Sequence, residues 1–389
     1  MSYSIFRTAF CLMAAVTLPG SLLEAQELAG RLLGASDSSA VSGALVILLD
    51  STGHENARGL SSPSGGFSLK ASAPGAYRAR VIRIGFASWT SLMYHLALES
   101  RREVRLFVAE EAIRLADIEV TTTRSRCGVR TGDGDIIASL LTEAEKALTI
   151  TSETIRLGNL RFKTETFTTR PSPDGAPGER SQATSVGQAM WPVVSAPTES
   201  LAVWGFVHEP RDASQLLEDP EQRGGPVYFG PDARVLFSSW FLDTHCFSVP
   251  PRSVDSASVI MVQFTPMRRD ARRDIRGELT LDRETLELKR LAFRYTGLPR
   301  WVPTDSAGGA MSFRKLESGA WVIDRWSLKA PIPLVRQSRS DTTLFGFAET
   351  GGRVTEIRHG RNGPIEILSI VPHGWIWKSS LEGSANRAG

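Results

Sequence analysis

Apolar and polar residues alternate with a period of two along most of this chain, in short runs cut by Gly, Pro, Ser and Asp. Successive side chains of an extended strand point to opposite faces, so such runs are suited to half-buried positions in β-sheets. Over residues 27–120 the runs are short and the turns close together, which reads as a β-sandwich. The stretch at 43–50 (GALVILLD) is apolar on both faces and is the expected central strand, covered on both sides. Tyr77, Ala79 and Val81 alternate with Arg78 and Arg80, and after Val81 the phase flips to Ile82, Ile84 and Phe86. A one-residue slip of that kind is the mark of a β-bulge. Residues 103–108 and 118–122 add two more expected strands.

The strand at 43–50, Gly65-Gly66-Phe67, Pro74-Gly75-Ala76-Tyr77-Arg78 and Arg83-Ile84-Gly85-Phe86 together resemble the carboxypeptidase-regulatory-like module. That resemblance implies a seven-stranded, Ig/transthyretin-like sandwich of a kind common in exported bacterial proteins. It covers under a third of the chain. Family members often carry an acidic turn before the Gly-x-Phe, and Ser62-Pro63-Ser64 stands there instead, which argues against a metal in this turn. Residues 115–120 (LADIEV) also resemble the segment leading from such a module into the plug of TonB-dependent receptors. The residues after 120 do not read as a plug, and too little chain remains for a receptor barrel of that class.

Residues 124–134 are polar and Gly-containing and suit a linker. Residues 135–148 read as a helix, because Ile137, Leu140, Leu141, Ala144 and Leu148 share one stripe, with Asp133 or Asp135 to cap it. Residues 157–168 read as a strand, and 170–187, with three prolines, as a loop. Strands dominate again from 201 to 368. Two hairpins are expected, around Asp282-Arg283-Glu284 and around Ser318-Gly319, and a phase shift after Leu288 hints at a bulge. Consecutive hairpins suggest one large, curved antiparallel sheet with the helix packed against it. The expected class is mostly β, with a leader at 1–25, a sandwich at 26–120, a linker at 121–134 and a helix-plus-sheet domain at 135–389.

The leader expectation rests on Arg7, the apolar run AFCLMAAVTL at 9–18, the break at Pro19-Gly20 and a cleavage site after Ala25. The alternative is a short membrane anchor, but the run is too short to cross a hydrocarbon layer of about 30 Å, and no later segment could span as a helix. Cys11 is no lipoprotein acceptor, since Phe10 precedes it where a small residue is required. The expected destination is the periplasm, the outer-membrane surface or the medium. Cleavage leaves Cys127 and Cys246, either a disulfide or two buried thiols. An oxidising compartment favours the bridge, which would close about 120 residues and contribute roughly 4 kcal/mol.

Formal charge is nearly balanced, with 45 basic and 42 acidic residues, which disfavours nucleic-acid binding. The local run of Arg268, Arg269, Arg272, Arg273 and Arg276 is interleaved with Asp270 and Asp274. It reads as a solvated hairpin end, or as a contact for an anionic glycan or lipid headgroup. None of His54, His95, His208, His245, His359 and His373 has the His-x-x-Glu or His-x-His spacing that a zinc site uses. No Gly-x-Ser-x-Gly elbow or Gly-x-x-x-x-Gly-Lys loop is present. Gly132-Asp133-Gly134-Asp135 lacks the spaced carboxylates of a calcium loop. His245-Cys246 could suggest a nucleophile and base, but strand neighbours point apart. Eight of the nine tryptophans come after residue 190; Trp321 and Trp326 flank Asp324-Arg325 in one expected strand, and Trp375 and Trp377 sit near the C-terminus. Core packing is one reading of these, and an apolar or sugar-binding concavity the other.

The sequence therefore points to no catalytic, cofactor-binding or metal-binding residue. It points to a non-catalytic binding or scaffold protein of the cell envelope, whose partner is an envelope protein, a glycan or an apolar ligand. A carrier with its ligand in a curved sheet, or a hydrolase with an unrecognised site, are the alternatives. Trp321, Trp326, Arg268, Arg269, Arg272 and Arg273 are the candidate ligand contacts. Non-reducing peptide mapping of the mature protein is expected to recover Cys127 and Cys246 as one linked pair; two free thiols would remove that bridge.

Overall fold

The computed structural model describes residues 26–110, 133–157, 159–172, 178–208, 226–250, 258–267, 273–336, 341–360 and 363–368. The expected leader, the strand expected at 118–122, Cys127, Arg268, Arg269, Arg272, His373, Trp375 and Trp377 lie outside these residues.

The first unit is a two-sheet sandwich built from β1 (Glu27–Gly34), β2 (Leu45–Asp50), β3 (Glu55–Leu60), β4 (Gly66–Lys70), β5 (Gly75–Ile82), β6 (Trp89–Thr90), β7 (Tyr94–Leu96) and β8 (Arg101–Val108). One sheet has the order β4-β1-β8, with β1 antiparallel to β4 and parallel to β8. The other has the order β3-β2-β5-β6, with β7 also on β5. Leu28, Leu32, Val46, Leu48, Phe67, Leu69, Val81 and Leu106 close a common core between them. Eight strands appear where the resemblance implies seven, because β6 and β7 are two pieces of one run along β5. Ser91 sits at the break and hydrogen-bonds the Ala79 backbone.

The phase flip after Val81 is not the expected bulge. β5 ends at Ile82, and the chain turns through Arg83-Ile84-Gly85-Phe86, with the Phe86 N–H donating to the Arg83 carbonyl at 3.2 Å. Gly85 holds φ at 76°, a left-handed value that glycine adopts without strain. The turn sends Ile84 away from the sandwich core and into a second one.

That second core belongs to a larger unit: α1 (Asp133–Arg156), β9 (Leu160–Thr169), β10 (Arg180–Gln188), α2 (Thr198–Trp204), β11 (Val207–His208), β12 (Val227–Tyr228), α3 (Ala233–Leu236), α4 (Ser239–Thr244), β13 (His245–Ser248), β14 (Val259–Pro266), β15 (Asp274–Asp282), β16 (Leu288–Thr296), β17 (Gly308–Lys315), β18 (Trp321–Arg336), β19 (Asp341–His359) and β20 (Ile365–Ile367). Ten of these strands form one antiparallel sheet, ordered β10-β9-β19-β18-β17-β16-β15-β14-β13 with β20 beside β19. Both expected hairpins are present as β15–β16 and β17–β18, and the register shift on β16 falls beside Leu288 as its phase shift suggests. Residues 180–187 of the expected loop instead belong to β10, which pairs along its whole length with β9. Its side chains are almost all exposed, so it carries no apolar alternation; an edge strand can be held by its neighbour's ladder alone.

The helix expected at 135–148 continues to Arg156, a length of about 36 Å at 1.5 Å per residue. Ile137, Leu140, Ala144, Leu148, Thr151 and Thr154 keep to the buried stripe. The two threonines tolerate burial because each hydroxyl donates to the carbonyl four residues back, at 2.8 and 2.9 Å. The helix touches β13, β14, β16 and β18, so it covers that part of the sheet.

β2 belongs to both units. Val46 and Leu48 point into the sandwich core, while Leu45, Ile47 and Leu49 enter the core that α1 shares with the large sheet. Full burial of each such side chain contributes about 1.5–3 kcal/mol. Polar groups then fix the junction. The Glu143 carboxylate accepts the Gly85 N–H at 2.7 Å and pairs with Lys146 at 2.5 Å, and Lys146 donates to the Phe86 carbonyl at 2.7 Å. Arg58 of β3 pairs with Glu153 of α1 at 2.5 Å. Gly43 and Gly319 meet back to back; a Cβ on Gly43 would lie 1.8 Å from the Gly319 carbonyl oxygen. Burial pulls the Arg83 guanidinium below its usual pKa, and the carboxylates of Glu287 and Glu143 oppose that shift.

The described residues are expected to unfold as one unit. Ile47→Ala should cost about 2–5 kcal/mol and lower a single calorimetric transition. Two separated transitions, with only one moved by the substitution, would show that the sandwich and the large sheet fold independently.

Candidate functional site

Where α1 ends, the large sheet continues through β9 and β10, and a pocket of about 350 Å³ opens on it. The volume is at the small end of ligand pockets. Phe162, Thr164 and Thr166 alternate along β9 and present one face. Ser185 and Gly187 of β10 lie opposite Thr164 and Phe162 and extend that face. Val354 of β19 and Ile323 and Trp326 of β18 supply the far wall, and Ile155 the end of α1. Gln188 at the end of β10 and, in the connection after it, Met190, Trp191, Pro192 and Val194 close the fourth side. Met190 and Val194 are 77% and 66% exposed, so the rim itself is apolar. Val193 anchors this segment in the core against Gly230. Among the described residues none that lines this pocket is titratable near neutral pH; their polar groups are three hydroxyls, one amide and the indole N–H groups of Trp191 and Trp326.

Trp326 reaches the pocket because of one extra residue in β18. Trp321 and Trp326 are five apart, which would put them on opposite faces of a regular strand. The register with β17 slips between Ser312, opposite Arg325, and Phe313, opposite Ile323, so Asp324 is the inserted residue. The slip restores Trp321, Ile323 and Trp326 to one face, all in contact with the second core. Asp324 is pinned on the other face, accepting from the Ser312 hydroxyl at 2.6 Å and from Arg314 Nε at 3.1 Å. On the next strand Gly352 leaves room for the indole. A Cβ there would come within 2.5 Å of Trp326 Cζ2.

The candidate contacts thus separate. Trp326 lines the pocket, whereas Trp321 is 1% exposed and belongs wholly to the core. Arg273 lies apart, beside β15, where its carbonyl accepts from the Phe206 N–H, and Arg276 pairs with Asp305. His245 is buried and stacked on Phe241 with ring centroids 3.7 Å apart. Its ring nitrogens face the carbonyls of Phe241 and Ile275 at 3.1 and 3.2 Å, and Nε2 also lies 3.2 Å from Asp274. Half-buried Cys246 comes next on β13 and faces the other way, so the two do not form a nucleophile and base. His208 stacks against Trp204. Among the described residues no group of three or more His, Cys, Asp or Glu is placed to hold a metal ion.

Sequence reading misses Phe162, Thr164 and Thr166 as a lining, although their alternation within an expected strand is a usable signal. It has no means of finding Met190, Trp191 and Val194, which obey no period.

No family model matches the chain, and no curated protein matches it. Among solved structures, a DUF3823 family protein from Bacteroides uniformis aligns at 10% identity over 70% of this chain and 97% of its own, with a TM-score of 0.20. A Bacteroides fragilis protein described as membrane-associated and of unknown function aligns at 8% identity over 84% of this chain and 97% of its own, TM-score 0.16. A 9R-lipoxygenase from Cyanothece aligns at 10% identity over 86% of this chain and 43% of its own, TM-score 0.18. Scores this low carry no argument about function.

Gly187 on the pocket wall and Gly352 against the Trp326 ring are expected to respond differently to the same methyl group. Gly352→Ala must displace the Trp326 indole and should cost about 1–3 kcal/mol, whereas a Cβ on Gly187 meets nothing within 4 Å and Gly187→Ala should leave the unfolding midpoint almost unchanged. Denaturant titration of both variants checks this; equal midpoints would refute the placement of Trp326.

Proposed function

We propose that this chain is a non-catalytic, exported binding protein that holds a small, uncharged, largely apolar ligand on its C-terminal sheet. The carrying observation is the pocket between β9, β10, β18 and β19. Trp326, Trp191, Phe162 and Met190 give it an apolar body, and Thr164, Thr166, Ser185 and Gln188 add neutral hydrogen-bonding groups. Acid–base or nucleophilic catalysis needs a titratable or activated group within hydrogen-bond reach of the substrate. Among the described residues the lining holds no acidic, basic or thiol side chain, and hydroxyls, an amide and indoles suit binding better than turnover. It also favours the carrier reading over the hydrolase.

The compartment belongs to the same proposal. A leader at 1–25 and a Cys127–Cys246 bridge both suit an oxidising envelope compartment. The sandwich of two sheets is consistent with a carboxypeptidase-regulatory-like module, as the residues around Gly65-Gly66-Phe67 and Pro74-Gly75 suggest. Its role here is a buttress, because β2 shares its side chains with the ligand-bearing unit. That placement supports a structural part for the module over service as a detachable spacer.

The test uses N-phenyl-1-naphthylamine, a neutral apolar dye that fluoresces when withdrawn from water. The wild-type protein is expected to bind it saturably at one site. Gly187→Phe, which fills the pocket from a strand position with open space above it, should abolish saturable binding and keep the wild-type unfolding midpoint. Equal dye binding by both proteins would overturn the assignment of the pocket.

A further inference from the structure

The outer face of the three-stranded sheet carries a separate groove of about 710 Å³, bordered by Arg31, Leu33, Ser38, Gly66, Arg101 and Arg105. The strand registers lay out its floor in rows. In the first row Lys70, Glu27 and Arg101 lie side by side with alternating charge, and Glu27 pairs with Arg101 at 3.2 Å. Glu103 stands in the second row and also engages Arg101, at 3.4 Å. The third row holds Gly66, Arg31 and Arg105. The fourth holds Leu33 beside Phe107, which is 48% exposed.

The third row departs from the local rule. Arg31 and Arg105 are register partners on adjacent strands, with side chains on one face, and like charges directly opposite each other are destabilising. The first row carries its own counter-charge. The third makes no ion pair among the described residues, and Gly66 on its flank offers no side chain at all. Two arginines at register-partner positions of one groove can converge on a tetrahedral oxyanion, which accepts from several N–H donors at a time. The apolar row above them would take hydrocarbon attached to that anion.

We propose that this groove binds a phosphate-type oxyanion between Arg31 and Arg105. The anion is either free or borne on a lipid headgroup. The site is independent of the apolar pocket, since it lies on the sandwich and uses other residues.

The experiment compares the full-length mature protein with Arg31→Gln/Arg105→Gln and with a control, Arg78→Gln/Arg80→Gln, which removes the same charge from exposed positions of β5. Inorganic phosphate is titrated while the arginine Nε–H signals are monitored, and each protein is co-sedimented with phosphatidylglycerol or phosphatidylcholine vesicles. Phosphate binding weakened at least tenfold in the first variant and unchanged in the control supports the site with a free anion as ligand. Sedimentation with phosphatidylglycerol alone, lost only in the first variant, supports it with a lipid headgroup as ligand. Absence of saturable binding to either probe, or equal weakening in both variants, overturns the proposal.

Discussion

β2 is buried from both sides, and the rest of the molecule is arranged around that constraint. A strand reading Leu-Val-Ile-Leu-Leu has no face to offer to water. Val46 and Leu48 are satisfied by the sandwich, and Leu45, Ile47 and Leu49 need a second apolar layer. α1 and the large sheet provide it. The turn after β5 obeys the same logic: it delivers Ile84 to the second core and presents the Gly85 N–H and Phe86 carbonyl to Glu143 and Lys146. An ion pair this deeply buried adds little net stability, but leaving either member unpaired is costly, so it fixes where the helix can sit.

The position of α1 in turn decides where the sheet is open. The helix covers the sheet from β18 toward β13 and stops at Arg156. Beyond its end, β9 and β10 carry a face that no helix of the described residues covers. Phe162, Val354 and Trp326 would be exposed there, but the segment through Trp191 and Val194 crosses over them. A partial cover leaves a cavity with an apolar floor, neutral polar groups on one wall and an apolar rim. Covered and uncovered parts of one sheet thus have different consequences, a buried core for the first and a cavity for the second.

Much of this fold is legible in the residues. Alternation and apolar runs locate β1, β2, β4, β5, β8, β9 and β15 to β18, the apolar stripe locates the helix, and turn chemistry places both hairpins. The misreadings share a cause, which is that periodicity reports a burial pattern and not the partner that produces it. The slip after Val81 resembles a bulge because the second core that receives Ile84 is invisible in sequence. β10 resembles a loop because its side chains are exposed on an edge, where backbone pairing with β9 suffices. The helix reads as ending at Leu148 because Thr151 and Thr154 do not look buried, and their hydroxyl bonds to the preceding turn are what allow it.

The same division holds at the pocket. Sequence alone singles out Trp321 and Trp326 as a pair worth weighing, and it establishes a mostly β chain with a balanced charge and no recognisable catalytic motif. Tertiary structure decides between the two tryptophans. The inserted Asp324 sets the face that Trp326 shares, Gly352 on another strand makes the space for its ring, and strands as far apart in sequence as those of Glu165 and Arg353, 188 residues from one another, are joined side by side. Local alternation fixes which way a side chain points along its own strand. Which strands become neighbours is settled by long-range burial and pairing, and the cavity exists only once they are.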